Sequence, residues 1–405
     1  MSVHEAVAPL SSPAFRRYLA GQLPSVTCSW AQVVALSWVV VELDRRALGW
    51  VVALQFLPSL ALGPWFGAVA DRHDRRRLLM LAESGLGMVA LAYAAASARG
   101  VLAMPVIYVL AAAWGVINAL DTPARRALLP ALVMPDRAAS ASALAGTVLL
   151  LGMTAGSALG GALVATAGVT VAFAVNAASF LADVIVLHTI RPSTSPLARR
   201  APRQVRDGLS YVWHTPALRA PLLALAVIGT LAFTMQVSVP TLIRGSFDGG
   251  PSLIGTAFMV VTAGSLAGAL AAAARGAPGP RALELAAMIM AGSMAVTAVA
   301  PTVPTVLAGL AGVGFAWSLV LTSVIAVLQT ADPRMLGRVM SLFALVLLGS
   351  TSAGGPIASF VATSIGPRVP FVFGAGAAIA GIVVTRVNRR AARGAHGATA
   401  RTPAR

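Results

Sequence analysis

The chain has 405 residues, 58% of them hydrophobic and only 11% charged, with a mean hydropathy of +0.82. A soluble domain carries about 25% charged residues, and one this apolar would expose patches that aggregate, so the composition excludes an ordinary soluble protein and fits one that spans a bilayer. A net charge of +17 raises nucleic acid as a partner, and the position of each charge decides that question.

A membrane helix needs roughly 20 mostly apolar residues. The N-terminal segment MSVHEAVAPLSSPAFRRYLAGQ lacks a short apolar core with a small-residue cleavage site, so the first apolar stretch is expected to remain as a span. Spans are expected at 18–41, 48–70, 78–98, 103–122, 139–166 and 169–190. A polar stretch, 191–218, follows, and six more spans are expected at 219–243, 252–274, 282–300, 303–328, 339–364 and 369–388. The fold expected is an all-α polytopic membrane protein. Its parts are an N-terminal six-helix half (1–190), a cytoplasmic central loop (191–218), a C-terminal six-helix half (219–388) and a basic cytoplasmic tail (389–405). The tail is expected to form a disordered arm near anionic headgroups. A single cysteine, Cys28, rules out an intramolecular disulfide and any multi-cysteine metal site.

Arginine sets the orientation, since the chain contains no lysine. With the N-terminus inside, 25 of the 30 arginines fall in cytoplasmic segments, leaving Arg45, Arg46, Arg99, Arg244 and Arg368 outside. That is the positive-inside asymmetry, and it accounts for the net charge without nucleic acid. The expected location is the cytoplasmic membrane, multi-pass, with both termini cytoplasmic. The two halves also repeat. At an offset of 198, Leu144, Val148, Gly156, Gly168 and Phe173 fall on Leu342, Val346, Gly354, Gly366 and Phe371. Two parallel six-helix pseudo-repeats would produce that pattern.

The densest charge cluster, Asp71 to Arg77, interrupts two apolar stretches between spans 2 and 3. Its arginines serve as topology signals, which does not explain the order of residues. Gly67, Asp71-Arg72 and Arg75-Arg76 resemble the loop signature of the major facilitator superfamily, G-x-x-x-D-R-x-[GD]-R-[RK], with Asp74 where many members have glycine. The resemblance covers nearly the whole chain. It implies the major facilitator fold and a cytoplasmic gate in which Gly67 permits close helix packing. Asp71 would face a helix N-terminus of the other half, where the macrodipole favours an acid. The equivalent turn of the second half keeps Gly268 but has no acid.

The junction NALDTPARRALLPALVMPDR (118–137) resembles the exporter branch that includes siderophore exporters and macrolide efflux proteins, where D-x-P-A-R-x-A-x-x-P-x-L-V recurs. Asp121 and Arg125 would join the gate there, the alternative being a helix-end acid solvated beside its own arginines. In span 5, Gly152, Gly156, Gly160 and Gly161 resemble the exporters' antiporter motif G-x-x-x-G-P-x-x-G-G, with Ser157 in place of its proline. Glycines four apart also serve generic close packing of helices.

The superfamily's cavity is lined by spans 1, 4, 7 and 10, which here carry Trp30 and Gln32, Trp114 and Asn118, Met235 and Gln236, and Trp317 and Ser318. Tryptophan ordinarily gathers at the interfaces. Mid-span tryptophans are either core residues or the walls of an aromatic pocket for amphiphilic molecules. Asp183 is the one acid clearly inside a span, and Glu42 stands at the outer end of span 1. Both are candidates for proton coupling, Asp183 with the alternative of a structural bond to a hydroxyl or to His188. The expected activity is secondary transport, by proton-coupled efflux of drugs, siderophores or other secondary metabolites. The alternative is an uptake symporter or facilitator for a small organic solute. No P-loop, no H-E-x-x-H and no clustered nucleophile and base argue for an enzyme, and no filter argues for a channel. The expected partners are a small-molecule substrate, protons and the bilayer. No cofactor, metal or nucleic acid is expected, and the chain is expected to act as a monomer.

Overall fold

The computed structural model describes the backbone of residues 7–190, 204–276 and 281–399, and their side chains except those of residues 71, 204–206 and 389–399. Among the described residues, twelve helical segments are long and apolar enough to cross a membrane. They fall into two compact units.

The first unit contains Met1–Arg199 and Met235–Ala263. Its spans are α1 (Pro13–Leu43), α2 (Leu48–Arg72), α3 (Arg75–Ala98), α4 (Met104–Leu128), α5 (Ala138–Ala167) and α6 (Val169–Thr189). Ser12 starts α1, its hydroxyl accepting from the Phe15 N–H at 3.4 Å and donating to the Leu132 carbonyl at 2.7 Å, with Pro13 preset for the first turn. Asp74 does the same for α3, its carboxylate accepting from the Arg76 N–H (2.9 Å) and the Arg77 N–H (3.2 Å). Helix α1 packs on α5 and α6, α2 on α4, and α3 on α4 and α6. Phe15, Tyr18, Leu79, Leu128 and Leu187 form a buried cluster at the end where the 71–77 turn lies.

The second unit contains Arg200–Thr234 and Gly264–Arg405. The chain reaches it through α7 (Gln204–His214), an amphipathic helix inside the stretch read from sequence as a polar loop. Asp207 pairs with Arg338 at 3.6 Å, and Val212 turns inward while Leu209 and Trp213 remain exposed. After it come α8 (Pro216–Leu231), α9 (Met235–Ser246), α10 (Pro251–Arg275), α11 (Ala282–Val299), α12 (Val303–Leu328), α13 (Leu336–Ser364) and α14 (Val369–Thr399). Within this unit α8 packs on α13 and α14, and α11 on α12 and α14. Span 7 is therefore two helices, not one. The break lies at residues 232–234, where the Phe233 N–H donates to the Ile228 carbonyl at 3.1 Å, and α9 packs on α1 and α2 in the first unit. Helix α14 continues to Thr399, into the segment expected as a disordered arm. Its alanine- and arginine-rich sequence is a strong helix former.

The repeat read at an offset of 198 has a matching local geometry inside each unit. A methyl group at Gly156 would collide with the Thr27 carbonyl of α1, and one at Gly354 with the Thr230 carbonyl of α8. Gly168 and Gly366, also paired by the offset, both adopt positive φ (83° and 155°) ahead of α6 and α14. Only glycine takes that backbone without strain.

Candidate functional site

The most unusual arrangement in the first unit is a cluster of ionisable groups drawn from four spans. Sequence placed Asp121 and Arg125 at a junction between spans, but α4 runs to Leu128 and carries both on one face, four residues apart. The Arg125 Nε donates to Asp121 Oδ2 at 3.3 Å, and Nη2 to Asp121 Oδ1 at 3.2 Å. The same Nη2 donates to Glu83 Oε1 of α3 and lies 3.9 Å from Asp183 Oδ2 of α6. Tyr18 of α1, buried like the acids, lies close enough to the guanidinium to feel its charge. Glu83 and Asp183 are each only 1% exposed.

Three carboxylates thus converge on one guanidinium. Among the described residues no second cation lies within ion-pair range of them. Among the described residues, four polar atoms of the cluster and its surroundings are buried without a hydrogen-bond partner: Glu83 Oε2, Arg125 Nη1, Asp183 Oδ2 and Gln22 Oε1. Buried polar atoms in native proteins are nearly all satisfied, so four orphans in one place make this cluster the candidate functional site. Transferring such ions out of water costs several kcal/mol each, and one guanidinium offsets only part of that.

Glycine makes the cluster possible. A methyl group on Gly21 of α1 would collide with Asp183 Oδ1 and come within 3.2 Å of Val186 Cβ. Gly21→Ala is therefore expected to turn Asp183 away from Arg125 and lower the thermal unfolding temperature of the purified protein. Gly146→Ala, where a methyl meets nothing within 4 Å, should leave it unchanged and serves as the control.

The remaining sequence candidates distribute as follows. Arg75 donates to the Ala127 carbonyl at 3.3 Å. Arg76 donates to Leu187 O at 2.7 Å and to His188 O, so the two arginines bind the C-terminal carbonyls of α4 and α6. Cations there complement the helix dipoles. Arg72 is exposed, the side chain of Asp71 lies outside the described residues, and a methyl at Gly67 would meet no atom within 4 Å. Asp183 finds its ionic partner in Arg125, not in His188. Glu42 pairs with Arg244 at 2.6 Å, and Arg244 also pairs with Asp248 and sits over the Trp38 ring.

Gly152, Gly156 and Gly160 face α1, where added methyls would strike Val26, Thr27 and Ala31; Gly161 instead meets Pro251 and Gly255 of α10. Trp30 packs edge-on against Phe258. Trp114 packs on Leu86, Ala90 and Phe180. Trp317 stacks on Phe233 with ring centroids 3.9 Å apart. Ser318 donates to the Ser265 carbonyl at 2.7 Å. Gln32 Oε1 accepts from Asn176 Nδ2 at 2.9 Å. Asn118 is half-buried, Met235 is buried, and Gln236 Oε1 is buried without a partner.

The residue that sequence reasoning missed is Glu83. It lies five residues after the start of the span expected at 78–98, and in the structure it stands two turns inside α3 and is buried. The available signal was the number of turns separating it from the capping Asp74.

Comparison with known proteins places this geometry in a family. The chain matches, over residues 4–401, the model of a family described as "Transmembrane secretion effector". It is 28% identical over 352 residues to the multidrug efflux pump Tap of Mycolicibacterium fortuitum, covering 82% of this chain and 83% of the relative. It is 23% identical over 244 residues to the staphyloferrin A transporter of Staphylococcus aureus, covering 59% of this chain and 61% of the relative. In fold it resembles a bacterial homologue of the human lysosomal transporter Spinster in an inward-facing and occupied conformation. That likeness has a TM-score of 0.71 at 13% identity and covers 96% of this chain and 98% of the other. It also resembles a bacterial homologue of the iron transporter ferroportin in an inward-facing state, with a TM-score of 0.69 at 14% identity, covering 93% and 98%. The chain is a multi-pass membrane protein that belongs to the transmembrane secretion effector family of the major facilitator superfamily of small-molecule transporters.

Proposed function

We propose that the protein exports amphiphilic organic molecules such as drugs, siderophores or secondary metabolites across the cytoplasmic membrane in exchange for protons. In this reading both termini and the 71–77 turn are cytoplasmic, the Glu83–Asp121–Arg125–Asp183 cluster takes up and releases the coupling proton, and the chain acts as a monomer. One observation carries it: three carboxylates, two of them almost wholly buried, share one guanidinium that is itself only partly exposed. Two excess negative charges in a low dielectric are strongly unfavourable, and a bound proton removes one of them. Carboxylates coupled this tightly take up protons as a group, so the load belongs to the cluster and not to one residue.

The relatives named for multidrug efflux and for staphyloferrin A transport support the substrate class. The arginine distribution supports the orientation. The order Gly67, Asp71, Arg72, Arg75, Arg76 supports a gate at the turn, which would include Asp121 and Arg125 by way of their helix.

Everted membrane vesicles test this reading. Ethidium serves as the probe, and the compound that best separates deleted from complemented cells in a susceptibility screen serves as a second. Vesicles containing the protein should accumulate at least one of the two when their lumen is acidified, and a protonophore should collapse the accumulation. Accumulation unaffected by the protonophore, or absent for both compounds, would contradict it.

A further inference from the structure

We propose that the seam between α1 and α6 holds a hydrated proton route joining the buried carboxylates to the partly exposed face of α1 at Ser29. The proposal rests on the reading of the cluster as the proton-handling site. Glu83 and Asp183 are buried and only Arg125 beside them is partly exposed, so a proton that reaches them from the Ser29 side needs a path through the protein.

The seam supplies one. Helix α1 presents Tyr18, Gln22, Ser25, Ser29 and Gln32 at three- and four-residue spacing, which puts them on one face. Helix α6 answers with Asp183, Ser179 and Asn176. Ser29 Oγ donates to Asn176 Oδ1 at 3.3 Å, Ser179 Oγ donates to the Asn176 backbone carbonyl at 2.8 Å with Oδ1 a longer 3.2 Å away, and Asn176 Nδ2 donates to Gln32 Oε1 at 2.9 Å. Cys28, one residue before Ser29 on α1, is buried beside this polar face and close to Ser179 of α6. The seven helical steps from Asn176 to Asp183 span about 10 Å at the helical rise.

The two ends of this seam differ. Around Asn176 the polar groups bond one another, as ordinary helix-to-helix contacts would. Towards the cluster they do not: among the described residues Gln22 Oε1, Asp183 Oδ2 and Glu83 Oε2 are buried acceptors with no donor. Polar groups used only to hold helices together would be satisfied throughout, whereas acceptors of this kind are satisfied by water. The charged and titratable groups facing this end are Tyr18 of α1, Glu83 of α3, and Asp121 and Arg125 of α4. In the proposed transfer an excess proton passes between water and the hydroxyls of Ser29 and Ser179. The amides of Gln22, Gln32 and Asn176 orient water and relay nothing. The last hop forms an O–H bond on Asp183 Oδ2 or Glu83 Oε2, and release breaks it in the reverse sense.

Cys28 is the only cysteine in the chain and sits in the seam, so its S–H stretching band reports water there without interference. Infrared spectra of the full-length protein in lipid vesicles, transferred to D2O, should show the Cys28 S–H exchanging far faster than core helix amides. In the double variant Gln32→Leu, Asn176→Leu, which removes both partners of one hydrogen bond, exchange should slow at least about tenfold. Protonation of the carboxyl C=O band after a pH jump should slow by a similar factor while its equilibrium midpoint stays put. Ser179→Ala, a smaller change that keeps the amide pair, should slow both in the same sense. A wild-type S–H as slow as the core amides, or unchanged rates in both variants, would overturn the route. Fast Cys28 exchange with no carboxyl band titrating would instead overturn the proton-handling reading and, with it, the route's purpose.

Discussion

Replacing Arg125 with methionine is expected to cost about 3–5 kcal/mol and to prevent most of the protein from folding in the membrane. The change leaves Glu83, Asp121 and Asp183 buried without their shared cation. Loss of the monodisperse peak in detergent and a fall in unfolding temperature of the surviving fraction would register it. The informative companion carries Glu83→Gln, Asp121→Asn and Asp183→Asn in the Arg125→Met background. With no uncompensated charge left, it should recover most of the lost stability while remaining inactive in proton coupling. Arg125→Lys should fall between, because a lysine keeps the charge but cannot reproduce the two-pronged contact with Asp121. A wild-type unfolding temperature for Arg125→Met alone would mean that the cluster holds no buried ion pairing.

The second large effect is functional. Asp183→Asn keeps the size and hydrogen-bonding shape of the side chain but cannot bind a proton. In proteoliposomes it is expected to reduce transport driven by a pH gradient at least about tenfold, while exchange of labelled for unlabelled substrate across the membrane stays within about twofold of wild type. Glu83→Gln should behave alike, since the two carboxylates contact one guanidinium. Gradient-driven transport that survives in both variants would remove the cluster from coupling. The pair at Glu42 and Arg244 would then be the next to test.

The spans and their number were legible because a bilayer imposes a length on every apolar segment, and hydropathy reads that length directly. The repeat was legible as well: Gly156 and Gly354 hold the same offset in sequence and meet equivalent backbone carbonyls in their own units. Hydropathy carries no information on which face of a helix meets which neighbour, and there the reading stopped. Glu83 and Arg125 are 42 positions apart, and only the packing of α3 on α4 brings them together. Asp121 and Arg125 read as residues at the end of span 4 because their charges end the apolar run, whereas the helix continues to Leu128 with the acid and base compensating one another. The break in span 7 left no compositional mark, since residues 232–234 are as apolar as their flanks apart from one threonine. Mid-span tryptophans were ambiguous for the same reason: composition shows that an indole is present, while its neighbours, Phe180 beside Trp114 and Phe233 beside Trp317, come from elsewhere in the chain.

Proton movement measured together with substrate movement tests the central claim most directly. Purified wild-type protein in liposomes loaded with a pH-sensitive dye would be given the substrate identified by the susceptibility screen on one side only, with no other gradient imposed. Exchange coupling predicts that substrate flowing down its gradient drives protons the opposite way, so the compartment the substrate enters becomes more alkaline. The signal should vanish in Asp183→Asn. Substrate crossing at the wild-type rate with no accompanying pH change, or with protons moving in the same direction, would contradict it.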